Sequence, residues 1–528
     1  MYSPKPSGEA NEPEVSGSAS MNVLLVYPRF PVTFWSFNYA LRFKRKCAVC
    51  PPLGLITLAS LLPTHWNLRL ADLNLEDLRD SDLSWADAVM ISAMLLQKES
   101  MLNVIRRCRR AGLRIVVGGP VSNAMDLSPM ADAVVHGEAE SLAPELAADL
   151  ERGSLKPEYR APEVPPISLS PVPAWRLLKQ RRYNSMAVQY SRGCPFDCEF
   201  CDIIEVFGRR PRTKAPGQIL AELDALYESG WRGSVFLVDD NFIGNKVQVK
   251  KLLPELAEWN DRRGKPFSFF TQASLNLAED DDLLRLMCQA NFVRVFLGIE
   301  SPVEASLREG NKLQNLRRDM VESVHKIQRS GLEVMGGFIV GFDSDPPDVF
   351  EKQYRFIHDS AIPIAMVGLL NAVPNTRLYR RLEREGRLLA ENSGDNTDAR
   401  LSFIPRLSPD LLVEGYKGLV QRLYQPAEYY QRVLRFLEVR RDAAATVQRE
   451  LTDYLAALTS LLRQGFFGHS RRSYWRFLCA AMRQSPARLA DAIQFAVMGY
   501  HFQRVADLLS GSGADSPAAP QAGSSTGV

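Results

Sequence analysis

Three cysteines stand within eight residues in the stretch Ser191-Arg192-Gly193-Cys194-Pro195-Phe196-Asp197-Cys198-Glu199-Phe200-Cys201, at C-x3-C-x2-C spacing. A short apolar run, Met186 to Tyr190, leads into them with strand character. Thiolates of Cys194, Cys198 and Cys201 on one tight loop can hold three irons of a [4Fe–4S] cluster. With no fourth cysteine in the run, one iron is left open for a substrate or cofactor. A zinc site and three unrelated core cysteines are the competing readings. Zinc knuckles pair C-x2-C units, and the other such pair, Cys47 and Cys50, is far away in the chain beside Pro51 and Pro52. The spacing, the Gly193-Cys194-Pro195 turn and aromatic Phe200 before the last cysteine favour the cluster.

The elements that must position this loop follow from hydrophobic patterning. Strand-like runs recur at Met186–Tyr190, Val235–Val238, Pro266–Gln272, Val293–Ile299, Val334–Gly341 and Ile364–Leu370. Helical stretches lie between them, around Gln218–Glu228, Val247–Trp259, Asp281–Ala290, Arg317–Ser330 and Val349–Asp359. Six strands with intervening helices predict a partial (β/α)6 barrel over 186–390, with its chemistry at the carboxyl ends of the strands. Those ends are polar: Asp239-Asp240-Asn241, Thr271-Gln272-Ala273-Ser274 and Gly298-Ile299-Glu300-Ser301. Helix capping is the bland reading of each one taken singly.

Ahead of the barrel, 21–152 alternates strand and helix. The strands are Asn22–Tyr27, Leu68–Asp72, Asp87–Ser92, Leu113–Gly118 and Asp132–Gly137; helices are expected at Leu53–Leu62, at Gln97–Ala111 and from Glu140. This pattern predicts a doubly wound parallel sheet. Ligands of such sheets bind outside the carboxyl ends of the strands, here Tyr27-Pro28-Arg29, Ser92-Ala93-Met94, Gly118-Gly119-Pro120 and His136-Gly137-Glu138. Prolines are dense between Gly153 and Pro173, so 153–185 reads as a stiff, extended connector. From Glu391 to Ser510 the chain reads as arginine-rich and helical, with amphipathic repeats at Val433–Ala443, Leu451–Leu462 and Ala490–Leu509. A cap over the barrel is the plain reading of this region. A wall of an apolar pocket, or a peripheral contact with the inner membrane, is the sharper one.

The 528 residues suffice for several cores. The balance of 46% hydrophobic and 24% charged residues is ordinary for a globular protein, and a net charge of +3 gives no argument for nucleic acid. Eight irregularly spaced cysteines do not resemble a secreted disulfide framework, which points to a reducing, cytoplasmic setting. No apolar run approaches the length of a spanning helix. Residues 1–20, rich in Ser, Pro, Gly and Glu, and 511–528, rich in Gly, Ser, Ala and Pro, read as disordered extensions, with Met21 a candidate start.

The cysteine loop resembles that of the radical S-adenosylmethionine (SAM) enzymes, whose motif is C-x3-C-x-aromatic-C. The order of pieces in 21–152, with Cys50-Pro51-Pro52-Leu53-Gly54, Gly118-Gly119-Pro120 and Gly137-Glu138, resembles the cobalamin-binding domain found ahead of many such cores. The whole resembles the cobalamin-domain radical SAM family, in the group that contains the hopanoid C-2 methylase. The resemblance implies three cofactors: a [4Fe–4S] cluster, SAM and cobalamin. It places SAM near Phe200, Asp239 or Asp240, Gln272, Ser274, Glu300 and Gly337. It places cobalamin near Tyr27, Pro28, Ser92, Ala93, Gly118, Gly119, Pro120, Gly137 and Glu138. Asn311-Lys312-Leu313-Gln314-Asn315 resembles a stretch of the same branch, although a solvated loop would be equally polar. The Asp-x-His-x-x-Gly motif that supplies a histidine to cobalt is missing, because Pro28-Arg29-Phe30-Pro31 runs on to Trp35 without one. The resemblance implies a C-methyltransferase acting on an unactivated carbon of an apolar or polycyclic molecule, a hopanoid for instance. A one-electron donor such as flavodoxin or ferredoxin would drive it. Radical chemistry without methylation, and a cofactor-sensing protein without turnover, are the alternatives.

Overall fold

The structure, a computed structural model, describes residues 20–316, 318–389, 393–395, 397–440 and 451–511. The expected N-terminal extension (apart from Ser20), the expected tail (apart from Gly511) and the end of the 433–443 repeat lie outside the described residues.

Two parallel six-stranded sheets form the frame. The first comprises β1 (Asn22–Tyr27), β2 (Asn67–Asp72), β3 (Ala88–Ser92), β4 (Arg114–Gly118), β5 (Ala133–His136) and β6 (Glu158–Arg160), in the order β2-β1-β3-β4-β5-β6. The strand order reverses between β1 and β3, the switch point where such sheets bind ligands. Separate apolar layers cover its two faces, one with Leu24, Val89 and Val117, the other with Val23, Met90 and Val135. Strands buried on both faces are near-continuous apolar runs, which is why all five expected strands were legible.

The sixth strand corrects the reading of 153–185 as an extended spacer. Glu158-Tyr159-Arg160 pairs in parallel with β5, and Tyr159 is buried, donating to Asp149 Oδ2 at 2.8 Å. Further along, the Tyr183 hydroxyl donates to buried Asp72 at 2.7 Å, and the Cys47 and Ser185 amides donate to the Arg182 and Val49 carbonyls. The connector is therefore fastened along its length. Proline density conceals a three-residue strand, since only one of its side chains is apolar.

The second sheet holds β7 (Met186–Val188), β10 (Gly233–Leu237), β11 (Phe267–Ala273), β12 (Phe292–Glu300), β13 (Glu333–Val340) and β14 (Ile364–Leu369), side by side in chain order. This is the open (β/α)6 arrangement expected. Between β7 and β10 a short antiparallel ladder, β8 (Ser191–Arg192) with β9 (Arg212–Thr213), closes the base of the cysteine loop. Two-residue strands are too short to carry a periodic signal.

C-terminal helices at Pro409–Tyr424, Pro426–Val439, Arg471–Gln484 and Leu489–Leu509 share the barrel's core, from Val188 and Val295 to Phe436 and Phe502, while Leu451–Ser460 packs through Ala456 on a separate cluster with Ala40, Phe43 and Val497. Phe34 of the first domain enters the barrel's core. Its ring stacks on Phe502 at 4.4 Å, and its carbonyl faces His501 Nε2 at 3.0 Å. Residues 33–44 thus form an arm that crosses from the first sheet to the last helix. Among the described residues no helix is long and apolar enough to cross a membrane.

Candidate functional site

The cysteine loop is held at its base by two carboxylates. Fully buried Asp239, just past β10, accepts from the Tyr190 amide at 3.1 Å and from the amide and hydroxyl of Ser191. Asp240 accepts from the Gly193 amide at 3.0 Å. Burial raises Asp239 to about 7 and Asp240 to about 6, against the pull of these hydrogen bonds. Gly193 has φ of +95°, and a Cβ there would stand 2.9 Å from the Gly208 carbonyl oxygen, so the turn into Cys194 admits only glycine.

The far side of the loop is tied to the barrel rim. Glu199 N–H donates to the Gly310 carbonyl, Asn311 Nδ2 donates to the Asp197 carbonyl at 2.6 Å, and Arg381 forms a two-pronged pair with Glu199 at 2.8 and 3.1 Å. Phe200 packs edge-on against Phe342 over Gly310. Phe200 therefore shapes the loop from beneath.

The sulfurs suit a cluster. Burial raises all three thiols, Cys201 most, so a bare thiol would keep its proton here and a bound iron would replace it. Asn241 Nδ2 points at Cys194 Sγ from 3.9 Å and Gln314 Nε2 at Cys198 Sγ from 3.8 Å. Such donors tune a cluster's potential. Among the described residues no three His, Cys, Asp or Glu side chains converge as ligands of a single ion. Three buried thiols on one glycine-led turn, two of them faced by amide N–H groups, are a donor set that suits an iron–sulfur cluster.

Lys312 lies next to these sulfurs. Burial alone would lower its ammonium, but Glu300 and the cysteines Cys198 and Cys201 together raise it. It donates to Glu300 Oε1 at 2.7 Å. Glu300 ends β12 at a register shift, with φ of +66°, a conformation that non-glycine residues adopt only under constraint. The constraint is visible: Asn315 Nδ2 donates to the Gly298 and Ile299 carbonyls, and Gln353 Nε2 to that of Glu300. The solvated-loop reading of 311–315 is thereby corrected, since Lys312 and Asn315 are buried. Patterning could not reveal this, because burial of a polar loop is decided by what packs over it.

Ser274 accepts from Asn241 Nδ2 at 3.3 Å, which brings the ends of β10 and β11 together beneath Cys194. Gln272, at the end of β11, is half-buried. Gly337 on β13 lies under the Phe296 ring, where a Cβ would stand 2.6 Å from Cζ. The structure thus gathers Cys194, Cys198, Cys201, Phe200, Asp240, Ser274 and Glu300 around one rim. It turns Asp239 inward and sets Gly337 behind an aromatic ring.

At the switch point of the first sheet a cavity of about 290 Å³ opens toward the barrel. Of the residues expected near cobalamin, Ser92, Gly118, Gly119, Gly137 and Glu138 line it; Tyr27, Pro28, Ala93 and Pro120 do not. Its inner wall is apolar, from Leu58, Met90, Val116 and Leu146, and its mouth is formed by Gln189, Arg192 and Lys214 of the barrel. A Cβ on Gly54 or Gly137 would meet nothing within 4 Å, so both glycines front open space. An apolar slot with a polar, glycine-lined mouth fits part of a broad ring cofactor with a flat appendage. Tyr27 packs edge-on to Phe30, and the Pro28 carbonyl accepts from Gln97 and Asn74. His136 stands apart from this cavity, in a second depression with Asn123, Glu158 and Asn375. His65 pairs with Glu151 at 2.9 Å on the surface.

Glu138 has a further role. Buried at the mouth, it pairs with Arg192 at 2.5 Å and with Arg212, while Arg192 also pairs with Glu140 at 2.7 Å. One ion network thus joins the first sheet to the ladder β8–β9 that carries the cysteine loop. Cys47 and Cys50 belong to no metal group among the described residues: the Arg182 guanidinium lies at 3.0 Å from Cys47 Sγ, and Ser185 at 3.2 Å from Cys50.

Comparison with known proteins agrees with this geometry. Residues 188–357 match the model of the radical SAM superfamily, and 376–512 match a domain of unknown function, DUF4070. An uncharacterized methyltransferase of Synechocystis sp. is 40% identical over 496 residues, 93% of this chain and 92% of that protein. The hopanoid C-2 methylase of Rhodopseudomonas palustris is 38% identical over 423 residues, 79% of each. The structure of the radical SAM methyltransferase TsrM from Kitasatospora setae, with cobalamin and a [4Fe–4S] cluster bound, superposes with a TM-score of 0.59 at 16% identity. The match covers 89% of this chain and 100% of that one, and shows a shared fold.

Proposed function

The chain belongs to the radical SAM methyltransferase family that includes the hopanoid C-2 methylase, and from that premise we propose that it methylates an unactivated carbon of an apolar, polycyclic substrate of the hopanoid type, with cobalamin as methyl carrier. The single observation that carries the reading is the ion network of Glu138, Glu140, Arg192 and Arg212, which joins the glycine-lined cavity to the cysteine loop. It lets two cofactors face one reaction space.

When bound, the cluster with SAM supplies one-electron cleavage of a carbon–sulfur bond, and cobalamin supplies a transferable methyl group. The chain's own residues do the rest. Cys194, Cys198 and Cys201 would hold the cluster, while Asn241 and Gln314 aim N–H groups at the Cys194 and Cys198 sulfurs. Asp239 is spent on the loop base, so the SAM amino group falls to Asp240. Glu300, Ser274 and Gln272 face the ribose and methionine parts, and a carboxylate suits a diol because it accepts from both hydroxyls. Lys312, donating to Glu300 Oε1 at 2.7 Å, aims that carboxylate. Ser92, Gly118, Gly119 and Gly137 let a corrin approach the sheet edge closely. A flavodoxin or ferredoxin on the cytoplasmic side supplies the electron. A substrate of this kind resides in a bilayer, so peripheral membrane contact belongs to the same reading.

The test is anaerobic turnover. Protein reconstituted with iron, sulfide and cobalamin, given SAM and a strong reductant, should form 5′-deoxyadenosine and, with a methyl acceptor, S-adenosylhomocysteine. Cys198→Ala should abolish the deoxyadenosine. Deoxyadenosine without S-adenosylhomocysteine across a panel of polycyclic acceptors would overturn methylation.

A further inference from the structure

We propose that the C-terminal helices carry a docking face that seats this chain on an anionic lipid bilayer. Leu451, Tyr454, Leu458 and Leu462 follow one another at helical spacing on one side of Leu451–Ser460 and the π-helical turn Leu461–Phe466. All four are exposed, Leu451 by 75% and Tyr454 by 61%. Phe466 and Phe467 continue the patch and are 60% and 81% exposed. Trp475 of the next helix lies edge-on to Phe466 at 6.1 Å, anchored by its indole N–H on the Gly465 carbonyl. Isolated exposed apolar side chains need no explanation, but a contiguous aromatic and aliphatic patch does.

Charge selects the occupant. Between 451 and 488 there are six arginines, and Asp453 is the one acidic residue. Arg463, Arg471, Arg472, Arg476 and Arg483 are exposed beside the patch, and none makes an ion pair with a described residue. A second copy of the chain would bring an equally basic face against this one. A bilayer with anionic headgroups accepts both parts, because aromatic rings enter the interfacial layer while arginines meet the phosphates.

The face also leads inward. Ala456 packs with Ala40 and Phe43 of the arm, with Phe37 alongside; Trp35 then stands 6.2 Å from Phe37 and 5.4 Å from Phe296, the ring over Gly337. Packed side chains thus connect the exposed patch, through the arm, to the barrel strands, so docking there would hold the barrel against the bilayer. Its use in reaching an apolar substrate rests on the apolar-substrate reading; the binding itself does not.

The experiment is co-sedimentation of the reconstituted full chain with vesicles of phosphatidylcholine alone and of phosphatidylcholine with phosphatidylglycerol. Binding is expected to the mixed vesicles, weakening as salt rises. Phe466→Ser with Phe467→Ser should lower the partition coefficient about ten-fold or more, and Arg471→Glu with Arg472→Glu by a similar factor. Both pairs are exposed, and deoxyadenosine formation from SAM should stay at the wild-type level. Wild-type protein left in the supernatant with anionic vesicles would overturn the proposal, as would unchanged binding of both double variants. A concentration-dependent dimer lost in the phenylalanine variant, without vesicle binding, would assign the face to a second copy and overturn it too. Vesicle binding without any deoxyadenosine would support the docking face and count only against the catalytic reading.

Discussion

Gly193 and Glu300 are two backbone positions where the rim is under strain, and they differ in what relieves it. At Gly193 the absence of a side chain suffices. Gly193→Ala puts a Cβ against the Gly208 and Arg210 carbonyls at 2.9 and 3.0 Å and forces a left-handed residue. We expect folded protein that retains less than half the wild-type iron and sulfide after anaerobic reconstitution; full retention would show that the loop can open without cost. At Glu300 the strain is held by neighbours, and the proposed role is to receive SAM. Glu300→Gln weakens a charge-assisted bond worth ~1.5–3 kcal/mol, so SAM affinity measured by calorimetry should fall about ten- to a hundred-fold. Cluster absorbance should stay unchanged, and unchanged affinity would remove Glu300 from the SAM site. The cysteines and strand-end carboxylates were legible because their types and spacing are themselves the signal. Asn241, Lys312 and Gln314 stood in stretches that the sequence also marked, but their approach to the sulfurs was not legible, because an amide aimed at a sulfur or an ammonium buried beside one is set by tertiary contact.

Among the elements, the parallel strands were read almost to the residue, since each is an apolar run bounded by turn residues. What escaped were elements with little apolar content: the strand β6 under its prolines, and the ladder β8–β9. The arm also escaped, and its hold on the last helix has a measurable cost in acid. His501 is buried, its Nε2 at the Phe34 carbonyl and its Nδ1 without a partner. Burial lowers it from 6.5 to about 4, against the pull of that backbone bond. The unfolded chain binds the proton more tightly, so this residue's contribution is complete above about pH 6.5 and is lost as pH falls to about 4. Over that window the loss reaches ~3 kcal/mol. His501→Gln, which removes the titration, should flatten the decline of the thermal midpoint between pH 6.5 and 4.5. Parallel curves for the two proteins would place the acid sensitivity elsewhere.

At the scale of the molecule, the two sheets are joined by buried charge. Removing Glu138 strips Arg192 and Arg212 of a partner while leaving Glu140 on Arg192. Glu138→Ala should therefore cost about 2–3 kcal/mol, below the ~3–5 kcal/mol of a fully orphaned buried charge. Because Arg192 stands two residues before Cys194, iron retention should fall as well, although Glu138 belongs to the other sheet. Denaturant midpoints with iron analysis check both; lost stability with intact iron content would limit the network to holding the domains together. Patterning laid out both sheets separately. It carried no information on their relative placement, which rests on single side chains such as Glu138, Tyr183 and Phe34.

The arm sets an order of events during synthesis. Phe34 leaves the ribosome 467 residues ahead of His501, its partner on the last helix. At about 5–20 residues per second, the interval is between about twenty and ninety seconds. Through that time Phe34, Trp35 and Phe37 are on the nascent chain without the helix that covers them, although the first sheet already has its strands. Chaperone demand should therefore concentrate on the first fifty residues, and a chain stopped before Leu489 would display those aromatic rings for its whole lifetime.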